Sequence, residues 1–457
     1  MPYAQASGRL LITGARVFDA ACATFLDERT IVVEGDRIAA VDVPARVAAR
    51  PGERRLDGRG KYVLPGFVDA HMHVNHVVTD AHMTGDELLP YYLAAGVTTV
   101  SSGGDELIAE RLVEKFAESH PQSCPRLILA SPLVDGDPPY HRRSGYAVTD
   151  PGLVGSFVDE TAAWGVTTFK IYVGTGRAVG RELIAQAHGR GKRVIGHLGQ
   201  YTAQDAAADG IDCLEHIASV FNFILPPDAP VMPLAPERAR MDPKVVRDLR
   251  LRVARARAEA DLDHPRVKAL IDLLLENHVR VAPTLVVYRN WMLLRDAPEI
   301  YGHPDNDRMP ARLKELWQSQ RLQSAPEPET AELRRMELQK LQRLTRLLAD
   351  AGVELLVGTD SPVAFCPPGL ALHQELKLLA DSGLAPAKVL QCATLINARA
   401  LGRESDLGSI EPGKLADLLV LDADPVAHIE NTRRIHKVIR GGLLCDPATI
   451  LATIQPR

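Results

Sequence analysis

The sequence lacks the features that mark secreted, membrane-spanning and nucleic-acid-binding proteins. Its six cysteines are scattered and form no C-x-x-C pair, which favours reduced thiols in a cytoplasmic protein over a disulfide or zinc-ribbon framework. The start of the chain has no charged segment followed by an apolar one, so we expect no signal peptide, and no apolar run reaches the length of a membrane span. A net charge of -5 over 457 residues argues against nucleic acid and anionic membranes as partners.

The two ends of the chain share a pattern of short, half-buried strands. Apolar and polar residues alternate in "RTIVVEGDRIAAVDV" near the start and in "KLADLLVLDADP" near the end, with Gly and Asp at the breaks. Because these two β segments flank a long middle, the sequence predicts one small β-sandwich built from residues 1–61 and 404–457.

The middle of the chain, residues 62–403, alternates between strand and helix patterns. Eight short runs are rich in β-branched residues, from "YVLPGFVDAH" through "GVTTFKIYVG" and "VRVAPTLVVY" to "VELLVGTD". Helical patterns such as "GRELIAQAHGRG" lie between most of them. Eight such units predict an α/β fold of the (β/α)8 TIM-barrel type.

Chemistry-bearing residues stand where the predicted strands end, which is where the active site of such a barrel lies. In "VLPGFVDAHMHVNH" the histidines at i and i+2 point to the same side of a strand. Imidazole and carboxylate ligands suit zinc or a similar divalent ion. The strand ends supply the following set: His71, His73, Lys170, His197, His216 and Asp360.

Lys170 is the unusual member of this set, because an ammonium group would repel a metal ion. A buried lysine can lose its proton, and an amine that reacts with carbon dioxide becomes a carbamate that can bridge two ions. The alternatives are a salt bridge or a Schiff-base lysine.

The motifs "LPGFVDAHMH", "FK", "GH", "EHIAS", "GTD" and "LINARALGRESDLGSIEPGKLADLLVLDADP" resemble the amidohydrolase superfamily over nearly the whole chain. The resemblance implies a barrel with a composite β-sandwich and two divalent metal ions, expected to be Zn²⁺. It implies that Asp360 is also the base that handles the proton of the attacking hydroxide. The implied ligands are His71, His73 and Asp360 for the more buried ion, His197 and His216 for the more exposed ion, and N6-carboxylated Lys170 as the bridge.

Within the superfamily, the chain looks most like the branch of imidazolonepropionase-related and prolidase-like enzymes. Imidazolonepropionase and the pyrimidine deaminases use one metal ion, and they place a Glu three residues after the strand-five histidine. Here that position is Gln200, and Lys170 is present on strand four. The resemblance therefore implies two-metal hydrolysis of an amide, as in Xaa-Pro dipeptidases and N-acyl amino acid hydrolases.

Several polar residues near the strand ends are candidates for substrate contact. Tyr172 stands two positions after Lys170 and is expected to face the same side. His141, Tyr172 or Arg289 could clamp a substrate carboxylate. The full candidate set is His141, Tyr172, Tyr288, Arg289 and His373.

Two other functional classes remain open at this stage. A hydantoinase-like cyclic-amide hydrolase, a lactone hydrolase or a phosphotriester hydrolase would use the same metals. A non-enzymatic scaffold would be expected to lack ligands, and every ligand is present. We expect a small-molecule substrate and a homo-oligomer.

Overall fold

The computed structural model describes residues 8–76, 78–233, 240–294, 296–323, 328–363, 365–452 and 454. Eight strands come from the two ends of the chain: β1 (Arg9–Asp19), β2 (Thr24–Glu34), β3 (Arg37–Asp42), β4 (Arg54–Asp57), β5 (Tyr62–Pro65), β15 (Leu418–Leu421), β16 (Ile435–Arg440) and β17 (Leu443–Cys445). They form one sheet in the order β17-β16-β15-β5-β1-β2-β3, with β4 beside β1.

Strand β5 joins the two ends of the chain within this sheet. It pairs in parallel with β1 and antiparallel with β15, where Val63 lies opposite Val420. Ile12, Ile31 and Ile439, which come from both ends, are buried in one apolar cluster with them. The sheet is therefore built from both ends of the chain, while the second layer of the predicted sandwich stays a prediction.

The middle of the chain forms parallel sheets. Its strands are β6 (Phe67–Met72), β7 (Val97–Ser102), β8 (Arg126–Ile128), β9 (Ala130–Asp135), β10 (Gly145–Ala147), β11 (Thr168–Ile171), β12 (Arg193–Gly196), β13 (Cys213–Glu215) and β14 (Arg280–Ala282). Strands β6-β7-β8 make one sheet, and β10-β9-β11-β12-β13-β14 make another. Every pairing in both sheets is parallel.

Residues 355–361 contact the outer strands of both parallel sheets. Leu355 forms a parallel bridge with Val281 on β14, and Ser361 forms one with Met72 on β6. Only Leu129 separates β8 from β9 along the chain. The α/β class predicted from the sequence is confirmed, and the carboxyl ends of β6 and of β11 to β14 come to one region.

Helices alternate with the parallel strands. Their bounds are α1 (Leu89–Ala94), α2 (Leu107–Ser119), α3 (Val154–Ala163), α4 (Arg177–His188), α5 (Ala203–Ala208), α6 (Ile217–Phe221), α7 (Pro243–Ala258), α8 (Pro265–Glu276), α9 (Leu285–Leu293), α10 (Pro298–Tyr301), α11 (Pro304–Asp307), α12 (Ala311–Gln323), α13 (Pro328–Asp350), α14 (Leu370–Asp381), α15 (Pro386–Gln391), α16 (Asn397–Ala400) and α17 (Pro447–Ala452). In α4, the buried residues Val179, Leu183, Ile184 and Ala187 recur at helical spacing and form the face that packs inward. Among the described helices, none has both the length and the apolarity needed to cross a membrane.

The run "VRVAPTLVVY" is only partly a strand. Strand β14 ends at Ala282, and helix α9 begins at Leu285. Pro283 has no N–H to continue a ladder, and Thr284 has a left-handed φ of 48°. Tyr288 and Arg289 therefore lie on a helix and not on a strand, which changes the directions of their side chains.

Candidate metal centre

The two histidines of the "DAHMH" motif lie at the carboxyl end of β6. Their Nε2 atoms approach one atom, Oδ1 of Asp360, at 3.2 Å for His71 and 3.0 Å for His73. Nδ1 of His73 lies 3.1 Å from the carbonyl oxygen of Gly104. Both imidazoles therefore face the same region, as their i, i+2 spacing predicts.

Asp360 is held beside these histidines by its backbone. Its N–H donates to the carbonyl oxygen of His71 at 2.8 Å, and the N–H of Thr359 donates to the same oxygen at 2.9 Å. The φ of Asp360 is 57°, a left-handed conformation that costs energy for any residue with a Cβ. Such strained residues concentrate at functional positions because the surrounding structure must hold them in place.

His197 and His216 extend the cluster from the neighbouring strands β12 and β13. The ring centroid of His216 lies 5.0 Å from that of His71 and 4.2 Å from that of His197. One ligand atom from each of His71, His216 and Asp360 can be chosen so that all lie within 4.8 Å of one another. The structure thus brings together residues that are 289 positions apart in the sequence (from 71 to 360).

The structure adds one acidic residue that the sequence did not single out. The side chain of Glu215 pairs with Lys170 through Oε2, and its Oε1 lies 2.5 Å from Nδ1 of His71. Side chains alternate along a strand, so the residue before His216 is expected to point away from it. His216 has a φ of 69°, which breaks the alternation and turns both side chains into the cluster. The ion pair is one of the alternatives left open for Lys170, and its carboxylation stays a prediction.

Burial sets the charge of the cluster. It lowers the pKa of His197 to about 3 and also lowers those of His71 and His216, so these imidazoles are neutral near pH 7. Burial also lowers the pKa of Lys170 to about 7. Burial alone would raise the pKa of Asp360, but the contacts with His71 and His73 hold it well below its ordinary value.

This donor set fits divalent cations. Neutral imidazole nitrogens beside an ionised carboxylate are the ligands that zinc and similar ions take. Nε2 of His71 is buried and makes no hydrogen bond, which is costly unless another partner satisfies it. His71, His216 and Asp360 come close enough to hold an ion, and His73, His197 and Lys170 stand beside them.

Three of the predicted substrate-contacting residues lie next to the cluster. Nε2 of His141 lies 3.0 Å from the hydroxyl oxygen of Tyr172, whose ring centroid is 5.1 Å from that of His197. The ring centroid of Tyr288 lies 5.8 Å from that of His216. Burial lowers the pKa of His141 to about 3, so it would meet a substrate as a neutral hydrogen-bonding group and not as a cation.

Arg289 and His373 are not brought to the cluster. On helix α9, Arg289 is about 100° around the axis from Tyr288, and its guanidinium donates to Asn290 and Gln374. His373 lies on α14 with both ring nitrogens occupied, by the hydroxyl of Thr432 and the carbonyl of Ala95. These partners occupy both side chains, and the contact of Arg289 and His373 with substrate stays a prediction.

A cavity of about 1500 Å³ opens beside the cluster. His197 and Tyr288 contribute to its wall, together with loops that follow β11, β12 and β13. Its lining is mixed, with the apolar residues Phe223, Leu225 and Met232 beside the arginines Arg257 and Arg266. A substrate that enters this cavity would therefore meet His197 of the cluster as well as polar and apolar side chains.

Known proteins share both sequence and fold with this chain. The amidohydrolase family model matches residues 331–445. An imidazolonepropionase from Streptomyces avermitilis is 25% identical over 416 residues, which are 88% of this chain and 83% of the relative. The resemblance to the amidohydrolase superfamily is confirmed. Adenine deaminase 3 from Rhizobium johnstonii is 31% identical over 211 residues, which are 44% of this chain and only 34% of that relative.

Solved structures of the superfamily show the same fold. A Xaa-Pro dipeptidase with bound methionine has a TM-score of 0.68 and 19% identity, and the match covers 95% of this chain and 99% of that chain. Bottromycin amidohydrolase has a TM-score of 0.71 and 24% identity, over 97% of this chain and 90% of that chain. At these identities the likeness defines the fold, and the substrate must be argued from the site.

Proposed function

We propose that this chain is a binuclear metal-dependent amidohydrolase that cleaves an amide or peptide bond in a small substrate of the dipeptide or N-acyl amino acid type. The observation that carries the proposal is the convergence of His71, His216 and Asp360 around a buried imidazole nitrogen that has no hydrogen-bond partner. The proposed architecture is a closed (β/α)8 barrel over residues 62–403 and a composite β-sandwich from residues 1–61 and 404–457. The homo-oligomer and the cytoplasmic location stay predictions.

The proposed ligand sets are those that the resemblance to the amidohydrolase superfamily implies. His71, His73 and Asp360 would hold the more buried ion, and His197 and His216 the more exposed one, with N6-carboxylated Lys170 between them. When bound, the ions would make a water molecule nucleophilic near pH 7 and polarise the carbonyl of the scissile amide.

Asp360 is the proposed carrier of the proton. The pKa of its carboxyl group lies well below the ordinary value, so it is ionised and can accept a proton from the attacking water. Its backbone is fixed by hydrogen bonds to the His71 carbonyl, which keeps the carboxylate at the cluster while it passes the proton to the leaving nitrogen.

Tyr172, His141 and Tyr288 are the proposed substrate contacts. The hydroxyl of Tyr172 and the imidazole of His141 are hydrogen-bonded to each other and could turn together to a substrate carboxylate. The adjoining cavity is larger than the roughly 300–1,000 Å³ of ordinary small-molecule pockets, so it leaves room for an apolar acyl group.

Cyclic-amide hydrolysis is the second candidate. It is favoured by the likeness to an imidazolonepropionase over 88% of this chain. A lactone or a phosphotriester could react at the same centre, and these substrates belong in the test.

The experiment is a turnover panel with metal-loaded protein. The panel contains dipeptides, N-acyl amino acids, hydantoins, lactones and a phosphotriester, and each is assayed with metal-free protein as the control. Metal-dependent release of free amine from a dipeptide or an N-acyl amino acid supports the proposal. If only hydantoins, lactones or the phosphotriester are hydrolysed, the substrate class is not a linear amide and this part of the proposal is wrong. No turnover of any substrate would contradict the whole proposal.

A further inference from the structure

Glu215 touches two members of the cluster with its two oxygens. Oε1 lies 2.5 Å from Nδ1 of His71, and Oε2 pairs with Nζ of Lys170. All three side chains are buried, and they come from three different strands, β6, β11 and β13. We propose that Glu215 is a positioning residue that sets the ring of His71 and the amine of Lys170 for metal binding. This inference rests on the proposed function.

Glu215 determines the orientation of the His71 ring. A neutral imidazole has one N–H and one lone pair, and its partner decides which nitrogen carries which. Glu215 accepts from Nδ1, so the proton stays there and the lone pair of Nε2 is free. Nε2 is the atom that lies 3.2 Å from Asp360 and lacks a hydrogen bond. A carboxylate in this position fixes both the tautomer and the direction of a ligating histidine.

Glu215 also holds the amine of Lys170. Its side chain is 1% exposed, and Glu215 is the acidic group with which it forms an ion pair in the described part of the chain. Removing one member of such a pair leaves the other charge buried without compensation, so the remaining side chain would move or exchange its proton. Glu215 therefore keeps Nζ of Lys170 directed at the cluster.

A purely structural ion pair would behave differently from a positioning residue. It would affect the midpoint of thermal unfolding and leave the affinity of the folded protein for metal unchanged. A positioning residue must change metal affinity and the spectrum of the bound ion. The deciding readout is therefore metal binding, which does not depend on turnover.

The test titrates Co²⁺ into metal-free protein against a competing chelator and records the visible absorption of the bound ion. Glu215→Gln keeps the shape of the side chain and removes its charge. We expect its Co²⁺ affinity to fall by roughly 10-fold to 100-fold, the usual cost of losing a partner of a ligating histidine, and its spectrum to change. The matched control is Glu110→Gln, a buried carboxylate bonded to Ser102 and the N–H of Ala130, which should bind Co²⁺ like the wild type.

A second pair of variants keeps the test decisive if Glu215→Gln does not fold. Both double variants contain Lys170→Met, so neither leaves a buried charge. The one with Glu215→Gln retains a hydrogen-bond acceptor for Nδ1 of His71, and the one with Glu215→Leu removes it. The Leu variant should bind Co²⁺ at least about 10-fold more weakly than the Gln variant.

Equal affinities and equal spectra within either comparison would overturn the positioning role. Wild-type protein that binds two ions but hydrolyses nothing would contradict the proposed function and leave this test intact. Wild-type protein that binds no Co²⁺ would overturn both.

Discussion

Nδ1 of His216 lies 2.8 Å from the hydroxyl oxygen of Thr284, although the two residues stand 68 positions apart in the chain. They follow the neighbouring strands β13 and β14, and both have left-handed backbone conformations, with φ of 69° and 48°. The contact leaves Nε2 of His216 directed to the cluster. Two strained residues therefore support each other at the position where the metal centre is proposed.

The hydroxyl of Thr284 is predicted to matter for metal binding. Thr284→Val keeps the branched shape but removes the partner of His216, so the affinity for Co²⁺ should fall roughly 10-fold or more. Thr284→Ser keeps the hydroxyl and should retain most of the affinity. Chelator competition measures both, and equal loss in the two variants would point to the backbone and not to the hydroxyl.

The sequence predicted the parts of the site that obey strand geometry. His71 and His73 face one side because strand side chains alternate. Lys170 lies within β11, His197 directly follows β12, and Asp360 lies in the segment 355–361 that forms bridges with β6 and β14. This rule fails where the backbone departs from regular strand geometry. Glu215 was missed because the left-handed His216 cancels the alternation. Arg289 lies on a helix where the sequence predicts a strand, because Pro283 and Thr284 end the strand.

The fold was likewise predicted where local patterns determine it and not where contacts between distant residues do. Alternating strand and helix patterns predicted the α/β class, since each period can be read locally. The pairing of β5 with β1 and β15 depends on contacts between the two ends of the chain. His373 looked available in the sequence, but its burial between Thr432 and Ala95 is a tertiary contact that no local pattern reveals.

Asp360→Asn separates metal binding from proton transfer. If Asp360 is only a ligand, saturating metal should restore most of the rate. We predict that kcat stays down by roughly 10²-fold or more at saturating metal, because an amide cannot accept and return the proton. The acidic limb of the pH–rate profile should change as well. Full rescue by metal with an unchanged profile would remove Asp360 from the proton path.

Tyr172→Phe tests recognition of a substrate carboxylate. The variant loses the hydroxyl that lies 3.0 Å from His141, so KM for a substrate with a free carboxylate should rise by about 10-fold, while the amidated substrate should be affected less. Tyr146→Phe is the matched control, because Tyr146 is 51% exposed and stacks on Phe157. Equal rates for free and amidated substrates in wild type and Tyr172→Phe would exclude the clamp.

Glu375 predicts a specific dependence of stability on pH. It is buried on α14, where it accepts hydrogen bonds from the N–H groups of Leu285 and Val286, and burial raises its pKa to about 8. The folded state therefore holds a proton that the unfolded state releases above about pH 4.5. The stabilisation of the fold by the protonated carboxyl group of Glu375 is complete below about pH 4.5 and is lost as the pH rises through about 8.

Glu375→Gln cannot titrate and provides the comparison. The free energy of unfolding of the wild type should fall relative to that of the variant as the pH rises from about 5 to about 8, by at most about 1.4 kcal/mol per pH unit. Denaturant unfolding over this pH range measures the difference. A difference that stays constant would show that the carboxyl group has the same charge when folded and unfolded.

The most direct test of the binuclear amidohydrolase is a titration of Zn²⁺ into metal-free protein, with bicarbonate present and an N-acyl amino acid or dipeptide from the panel as substrate. Ions bound per chain and amine released are measured on the same samples for wild type and Lys170→Ala. We predict about two ions per wild-type chain, a rate that levels off at that ratio, and a marked loss of both in Lys170→Ala. One tightly bound ion in both proteins, or amine release that persists without metal, would contradict this prediction.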